Sequence, residues 1–368
     1  MSTGHDTVPG PVRLEDFAGP ARRALPPEVW DFIAGGSGEE LTLAANRAAL
    51  DRIRLVPRVL SGSGAPDTSA ELPGGRAALP VAVAPMAYQR LLHPEGELAT
   101  ARAAAAAGVP FTLSTLSSVP VEEVTALGGV TWFQLYCQRD PGLTAELVRR
   151  AEEAGCAAVM VTVDVPSMGR RLRDLRNGFA LPAGVAAAHL DPATSHRAAE
   201  RRAGTCAVAE HTAESFARAL GWDDLARLRE QTGLPLIVKG ILDPGDAATA
   251  SAIGADAVVV SNHGGRQLDG AVASADMLPA VREAVPPSCR LLLDSGIRGG
   301  TDVLKALALG ADGVLLGRPV LWGLVADGTQ GVARVLGLLA AELRSALELS
   351  GCGTPADAPW LTTLGAGR

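Results

Sequence analysis

From about residue 80 the chain repeats one pattern: an alanine-rich helical stretch, a glycine, then a short apolar run. It appears in Ala103–Leu113, Ala151–Val163, Ala250–Val260 and Ala306–Leu316. Glycine in this place suits a helix C-cap. Apolar runs without polar alternation read as strands buried on both faces. Eight are predicted: Val81–Ala84, Pro110–Leu113, Trp132–Leu135, Ala158–Thr162, Leu236–Lys239, Ala257–Val260, Arg290–Asp294 and Val314–Gly317. Parallel strands alternating with helices, eight times over, predict an α/β fold, a closed (β/α)8 TIM barrel with its core at about 80–350. The alternative is an open doubly wound sheet. Its dinucleotide fingerprint is missing, because the first strand runs into Pro85-Met86-Ala87.

Upstream, the apolar positions fall at helical spacing. Leu14, Phe17 and Ala18 form one set and Val29, Phe32 and Ile33 a second, separated by Pro26-Pro27; Gly35-Gly36-Ser37-Gly38 then breaks the pattern before a third helix over 39–50. Residues 1–12 read as a disordered arm. Between Arg176 and Leu220 neither a strand nor a strongly periodic helix is predicted. A long connection after the fourth strand lies over the barrel mouth and is a candidate lid. The whole chain, 1–368, is read as one domain.

Composition narrows the classes. The net charge of −7 without a long like-charge run speaks against nucleic acid as a partner. Five cysteines, an odd number, without C-x-x-C spacing argue against a disulfide framework or a zinc site, and no metal is expected. No secretory leader is read in the polar first residues, and no apolar run of transmembrane length is read anywhere. The expectation is a cytoplasmic protein without a membrane partner. Only two of the 33 basic residues are lysines, Lys239 and Lys305.

In a barrel the residues just past each strand converge on one mouth. Here they include Ser114, Gln134, Asp164, Lys239, His263 with Arg266, Asp294 and Arg318. A histidine can take a proton near neutral pH, and an arginine fork can hold a carboxylate. Asp164 can orient the imidazole of His263. Lys239 closes an otherwise apolar strand, where burial requires a paired anion. After strands seven and eight, Asp294-Ser295-Gly296-Ile297-Arg298 and Gly317-Arg318 offer small residues, backbone N–H groups and cations, the usual phosphate place in such barrels.

These residues resemble the FMN-dependent α-hydroxy acid oxidase and dehydrogenase family, over about 13–353. Ser-Asn-His-Gly-Gly-Arg-Gln at 261–267 matches its signature. Leu-Val-Pro-Arg at 55–58, His-Pro-Glu-Gly-Glu at 93–97, Phe-Gln-Leu-Tyr at 133–136, Val-Asp-Val-Pro at 163–166 with Gly-Arg-Arg at 169–171, and Asp-Ser-Gly-Ile-Arg at 294–298 also match. Residues 31–38, 87–90, 170–174 and 176–179 resemble its hydroxymandelate-oxidising branch. The resemblance implies FMN as cofactor, His263 as base and Asp164 as its partner. It implies Arg171, Arg266 and Tyr136 as substrate ligands, with Phe32 beside them. Flavin contacts would come from Ala84, Pro85, Ala87, Ser114, Gln134, Thr162, Lys239 and Ser261. Ribityl and phosphate contacts would come from Asp294, Ser295, Gly296, Arg298, Gly317 and Arg318.

Phe32 stands where many members carry a tyrosine, and Leu116 where glycolate oxidase has a tryptophan. Both make the pocket less polar or roomier and point to an aryl side chain. The expected reaction is oxidation of a small-molecule (S)-2-hydroxy acid, (S)-4-hydroxymandelate or (S)-mandelate, to the 2-oxo acid, with O2 reduced to H2O2. The alternatives are a lactate- or glycolate-type oxidase, a mandelate dehydrogenase with another acceptor, or a flavin-dependent isomerase. The resemblance also implies a homo-oligomer, a tetramer or octamer.

Overall fold

A computed structural model describes residues 10–190, 196–199 and 206–365. Most of the predicted N-terminal arm, and parts of the predicted lid at 191–195 and 200–205, lie outside the described residues.

Eight parallel strands close on themselves: Val81–Val83, Phe111–Ser114, Thr131–Leu135, Ala158–Thr162, Leu236–Ile241, Ala257–Val260, Arg290–Leu293 and Gly313–Leu316. The last pairs with the first, Val314 against Val81 and Leu316 against Val83. The expected boundaries hold to within one residue except at Lys239. That residue does not end its strand, which continues through Gly240 to Ile241 with a register irregularity there. The four glycines of the repeated pattern, Gly108, Gly155, Gly254 and Gly310, all have positive φ, between 65° and 100°. They end their helices in the conformation that only glycine enters freely. Helices Pro141–Glu153 and Pro244–Ala252 both start from Asp-Pro-Gly, with the Asp140 and Asp243 carboxylates capping the first N–H groups.

Each strand buries both faces. Outward residues such as Val83, Leu113, Val161, Val260 and Leu293 pack against the helices. Inward ones, Ala82, Trp132, Met160, Ile237, Val259, Leu292 and Leu315, fill the lumen. The period of two then places Ala84, Gln134, Thr162, Lys239, Ser261, Asp294 and Gly317 one layer higher on the same inward face. The lumen is thus apolar below and polar at its carboxyl end.

The floor is a hairpin not foreseen from the sequence, Ala70–Leu72 with Gly75–Ala77. Leu72 and Ala77 join the lumen cluster, and the indole N–H of Trp132 donates to the carbonyl of Pro73 at 2.8 Å. A second unforeseen pair, Arg54–Val56 with Thr362–Leu364, joins distant parts of the chain. The upstream helices Pro27–Ala34 and Leu41–Arg52 cover the mouth.

Segment Arg318–Ser350 passes, by length and composition alone, for a helix that could cross a membrane, but only when its two helices are counted as one across a kink. It is a core segment here. Val320, Leu324, Val335, Leu339 and Leu343 pack into the barrel's outer core. It bends at Asp327 and Gly328, whose backbones are non-helical. There Gly323 and Gly331 pass so closely that a Cβ on Gly331 would stand 1.9 Å from the carbonyl oxygen of Gly323. Gly331→Ala is therefore expected to destabilise the protein by at least ~2 kcal/mol, read as a lower urea midpoint, through a backbone contact that no rotamer can relieve.

Candidate active site

The upper layer of the lumen is wired before any ligand is considered. Ser114 Oγ donates to Gln134 Oε1 at 3.0 Å, and Gln134 Nε2 donates to Thr162 Oγ1 at 3.1 Å. Lys239 Nζ donates to Ser261 Oγ at 3.1 Å and lies 3.3 Å from Asp294 Oδ2, to which the Ser261 hydroxyl donates at 2.6 Å. Burial disfavours the ammonium, but Asp294 and then Asp164 outweigh it and raise the proton affinity of Lys239 above the ordinary value. A buried lysine stays charged because two acids face it.

His263 follows the sixth strand with φ +59°, a left-handed conformation that is rare for a side-chain-bearing residue. The turn is pinned from several sides. Asn46 and Asn262 exchange amide hydrogen bonds at 2.8 and 2.7 Å, and the Gly264 N–H donates to Ser295 Oγ at 2.9 Å. Strain of this kind persists where the surroundings over-determine it. His263 Nδ1 then lies 2.9 Å from Asp164 Oδ1. Asp164 as acceptor fixes the Nδ1–H tautomer and leaves Nε2 free to act as a base. Gln267 holds the two loops together. Its amide donates to the carbonyls of Asp164 and Ser167 and accepts from the N–H of Gly169.

Burial pushes the His263 imidazolium below its ordinary range despite the attraction of Asp164. The Asp164 carboxyl is held below the ordinary value because His263 and Lys239 outweigh its burial. The resting pair is a neutral imidazole beside a carboxylate, one of whose oxygens is buried without a partner among the described residues.

Arginines make up the other wall. Arg266 Nη1 donates to the carbonyls of Phe32 and Gly35 at 2.7 and 3.0 Å. Arg318 donates to the carbonyls of Ile33, Gly35 and Gly264. The upstream helix therefore aims its carboxyl-end carbonyls at both. The Phe32 ring carries the guanidinium of Arg266 at 5.4 Å and that of Arg171 at 5.8 Å, and stacks on Phe179 with centroids 4.3 Å apart. Enclosure, then Arg171 and Arg318, push Arg266 well below its usual proton affinity, the mark of cations gathered without an anion.

These groups surround one cavity of about 1050 Å3, part of it open to solvent. Phe32, Ala84, Pro85, Ala87, Ser114, Tyr136, Arg171, Lys239, His263, Arg266, Asp294, Gly317 and Arg318 line it. Asp164, Gln134 and Ser261 are bonded to lining residues from behind or below, and Thr162 is bonded to Gln134. Ser295 braces Gly264, and the Gly296 carbonyl accepts from Arg47 at 2.7 Å. Arg298 lies over the Trp322 ring at 5.1 Å and 3.6 Å from Glu15, at the outer side of the loop after strand seven.

The segment read as lacking periodic structure contains a helix, Ala207–Ser215, and a short turn of 3-10 helix, His196–Ala199. This corrects the sequence reading. Val208, Thr212 and Phe216 line the cavity, and Phe216 stacks on Tyr136 with centroids 4.6 Å apart. Their i, i+4, i+8 spacing was the available signal, masked by alanines and small polar residues between them. Further along the same connection, His189 Nδ1 donates to the carbonyl of Thr115 at 3.2 Å.

The donor set fits a flavin mononucleotide. A planar polar ring system needs a layer of fixed hydrogen-bonding side chains, which Ser114, Gln134, Thr162, Lys239 and Ser261 form. A phosphate needs cations and small-residue loops beyond strands seven and eight, which Arg318 and the 295–300 turn provide, while Arg298 on that turn faces Trp322 and Glu15.

The FMN-dependent dehydrogenase family matches residues 21–360. The chain is 55% identical to a 4-hydroxymandelate oxidase of Amycolatopsis orientalis over 353 residues, 96% of this chain and 98% of that protein. It is 46% identical to an L-lactate oxidase of Nostoc sp. over 95% of this chain and 97% of the other. A crystal structure of mandelate oxidase with (S)-4-hydroxymandelic acid superposes with a TM-score of 0.94 at 54% identity, covering 97% of this chain and 99% of that one.

Burial holds His189 down at about 4 against an ordinary 6.5. A depressed histidine contributes full stability above pH 6.5 and loses it as the pH falls toward 4, because only the unfolded chain takes up the proton in that window. The loss is about 3 kcal/mol for a shift of this size. Urea titrations between pH 7 and 4 should show a shallower decline for His189→Asn than for the wild type.

Proposed function

Because the chain belongs to the FMN-dependent dehydrogenase family, we propose that it oxidises (S)-2-hydroxy acids with an aryl side chain, (S)-4-hydroxymandelate or (S)-mandelate, to the 2-oxo acids, passing the electrons on to O2 to form H2O2. The observation that carries this reading is the meeting of the His263–Asp164 pair with Arg171 and Arg266 around one cavity that also has an apolar wall of Leu116, Met168, Val208, Phe216 and Leu321.

FMN bound beside Ser114, Gln134, Thr162 and Lys239 supplies a two-electron sink. The protein supplies the rest. Arg171 and Arg266 are placed to take the substrate carboxylate, a charge-assisted contact that fixes the acid by one end. Tyr136, a cavity-lining phenol kept protonated by its surroundings and held near about 12, donates from its hydroxyl. The neutral His263 accepts the substrate's proton at Nε2, and the imidazolium that results is stabilised by Asp164 across the Nδ1–H bond. That histidine is base-competent at neutral pH because its burial disfavours the charged form. Lys239, held charged by Asp294, keeps a fixed positive charge next to the base and the cofactor layer.

The aryl group has room between Leu116, Val208 and Phe216 on the lid side and Met86, Met168 and Leu321 around them. The same reading takes the working protein to be a homotetramer or octamer, as the motif resemblance implies, and to be cytoplasmic.

Mixed anaerobically with (S)-4-hydroxymandelate, (S)-mandelate or L-lactate, the flavin-loaded protein should bleach rapidly with the aryl acids and slowly with lactate. Bleaching by lactate alone would overturn the aryl assignment. In air, one H2O2 should form per acid consumed; strict dependence on a dye or quinone would reject O2. His263→Ala should remain folded and yellow while flavin reduction slows by roughly 10²–10⁴-fold. Leu116→Trp, which fills the aryl space, should lower kcat/KM for mandelate relative to lactate by about tenfold or more, on the scale that pocket shape can discriminate.

A further inference from the structure

Three arginines border the cavity, and they are held very differently. Arg266 is tied to two backbone carbonyls and Arg318 to three. Arg171 donates no hydrogen bond to any described residue, and its Nε is buried without a partner. Besides the face of Phe32, its one close neighbour of opposite charge among the described residues is Asp174, with Nη1 to Oδ2 at 3.9 Å and only 9% and 1% of the two side chains exposed.

Asp174 is equally unusual. It sits one turn into helix Leu172–Asn177, for which Arg171 is the N-cap, and both its carboxylate oxygens are buried without a hydrogen-bond partner among the described residues. A buried carboxylate normally collects hydrogen bonds. This one collects none and instead faces the arginine three residues before it, at a spacing that brings side chains onto one helix face. The helix is itself fixed from outside. Arg173 pairs with Glu40 and Asp31, and Asn177 Nδ2 donates to Asp31 Oδ2 at 2.7 Å. Asp174 therefore stands still while Arg171 is free to settle against it.

We propose that Asp174 is the positioning residue of the carboxylate clamp: it holds the guanidinium of Arg171, the arm without a backbone anchor, toward the place where the substrate carboxylate binds. This rests on the 2-hydroxy acid reading given above. The division of labour follows from the contacts. Arg266 is the rigid arm, set by carbonyls. Arg171 is the adjustable arm, set by one ion. Asp174 also faces Arg266, so it offsets part of the positive charge that the substrate carboxylate meets. Removing it leaves Arg171 buried with no anion in reach, and the arm turns away or loses its orientation.

The test separates an effect through Arg171 from a general loosening. Benzoylformate and benzoylformamide share their shape and lack the carbinol hydrogen, and only the first carries a carboxylate. Each is titrated into the flavin-loaded protein and read from the flavin absorbance. In Asp174→Asn the dissociation constant for benzoylformate should rise about tenfold, equivalent to about 1.4 kcal/mol, and that for benzoylformamide by no more than about twofold. Asp174→Glu, which keeps the charge, should recover most of the loss. In an Arg171→Leu background, Asp174→Asn should add nothing further to the loss for benzoylformate. In turnover, KM should rise more than kcat falls.

Equal weakening of acid and amide, or an undiminished effect in the Arg171→Leu background, overturns the proposal. If Asp174→Asn does not retain flavin, Asp174→Glu decides alone: an acid-selective change supports the proposal, and an equal change in both probes overturns it. A failure confined to the variants leaves the proposed reaction standing. Wild-type protein that binds neither probe removes the carboxylate site itself, and this inference with it.

Discussion

Cations in excess of the fixed carboxylates beside them are the constraint on which the rest of this structure turns. Lys239, Arg171, Arg266 and Arg318 border one cavity, in a chain whose overall charge is negative. Each is held by a different device: an acid and a hydroxyl for Lys239, helix-end carbonyls for Arg266 and Arg318, a lone carboxylate and an aromatic face for Arg171. Like charges so close repel one another in a poorly solvated place. Their surplus is balanced when anionic ligands enter, and in that sense the site is built around groups it does not itself contain.

The barrel makes such an arrangement possible because its two lumen layers do different work. The lower layer is apolar and dense, closed at the floor by the hairpin and by Trp132. The upper layer repeats the same inward positions two residues later with serine, glutamine, threonine, lysine and aspartate. Stability comes from the first and chemistry from the second, along the same strands. The loops above are fastened to each other as well as to the strands: Gln267 ties the His263 turn to the Asp164 loop, and Asn46 ties it to the covering helix. His263, Asp164 and Arg266 thus share one rigid frame, the preorganisation that acid–base chemistry requires.

Much of this was legible in the sequence, for physical reasons. Strands buried on both faces leave uninterrupted apolar runs, and helix-ending glycines mark the reversals, so the barrel could be read from Ala257–Val260 and its counterparts. Residues at strand ends could be collected because the topology itself brings them together. What was not legible involved tertiary partners. Ala70–Ala77 is too short and too mixed to announce a hairpin; it is held by Trp132 and the lumen. Helix Ala207–Ser215 has a weak amphipathic signal, and only Phe216 against Tyr136 reveals which face matters. Asp174 resembled any charged residue in an arginine-rich stretch until its burial was seen. The placement of Lys239 at a strand end was off by two residues, since the irregularity at Gly240 lets the strand continue.

The scarcity of lysine has a consequence outside catalysis. Lys239 is 3% exposed and engaged with Ser261 and Asp294. Lys305 is half-buried with its ammonium donating to the carbonyl of Leu50 at 2.8 Å. No other side-chain amine exists in the chain. Acylating reagents, amine-reactive dyes and lysine crosslinkers therefore find almost nothing to attach to on the folded barrel. Labelling the side chains of this protein calls for carboxyl- or arginine-directed chemistry, and an acylated Lys239 is a molecular record that the barrel has opened.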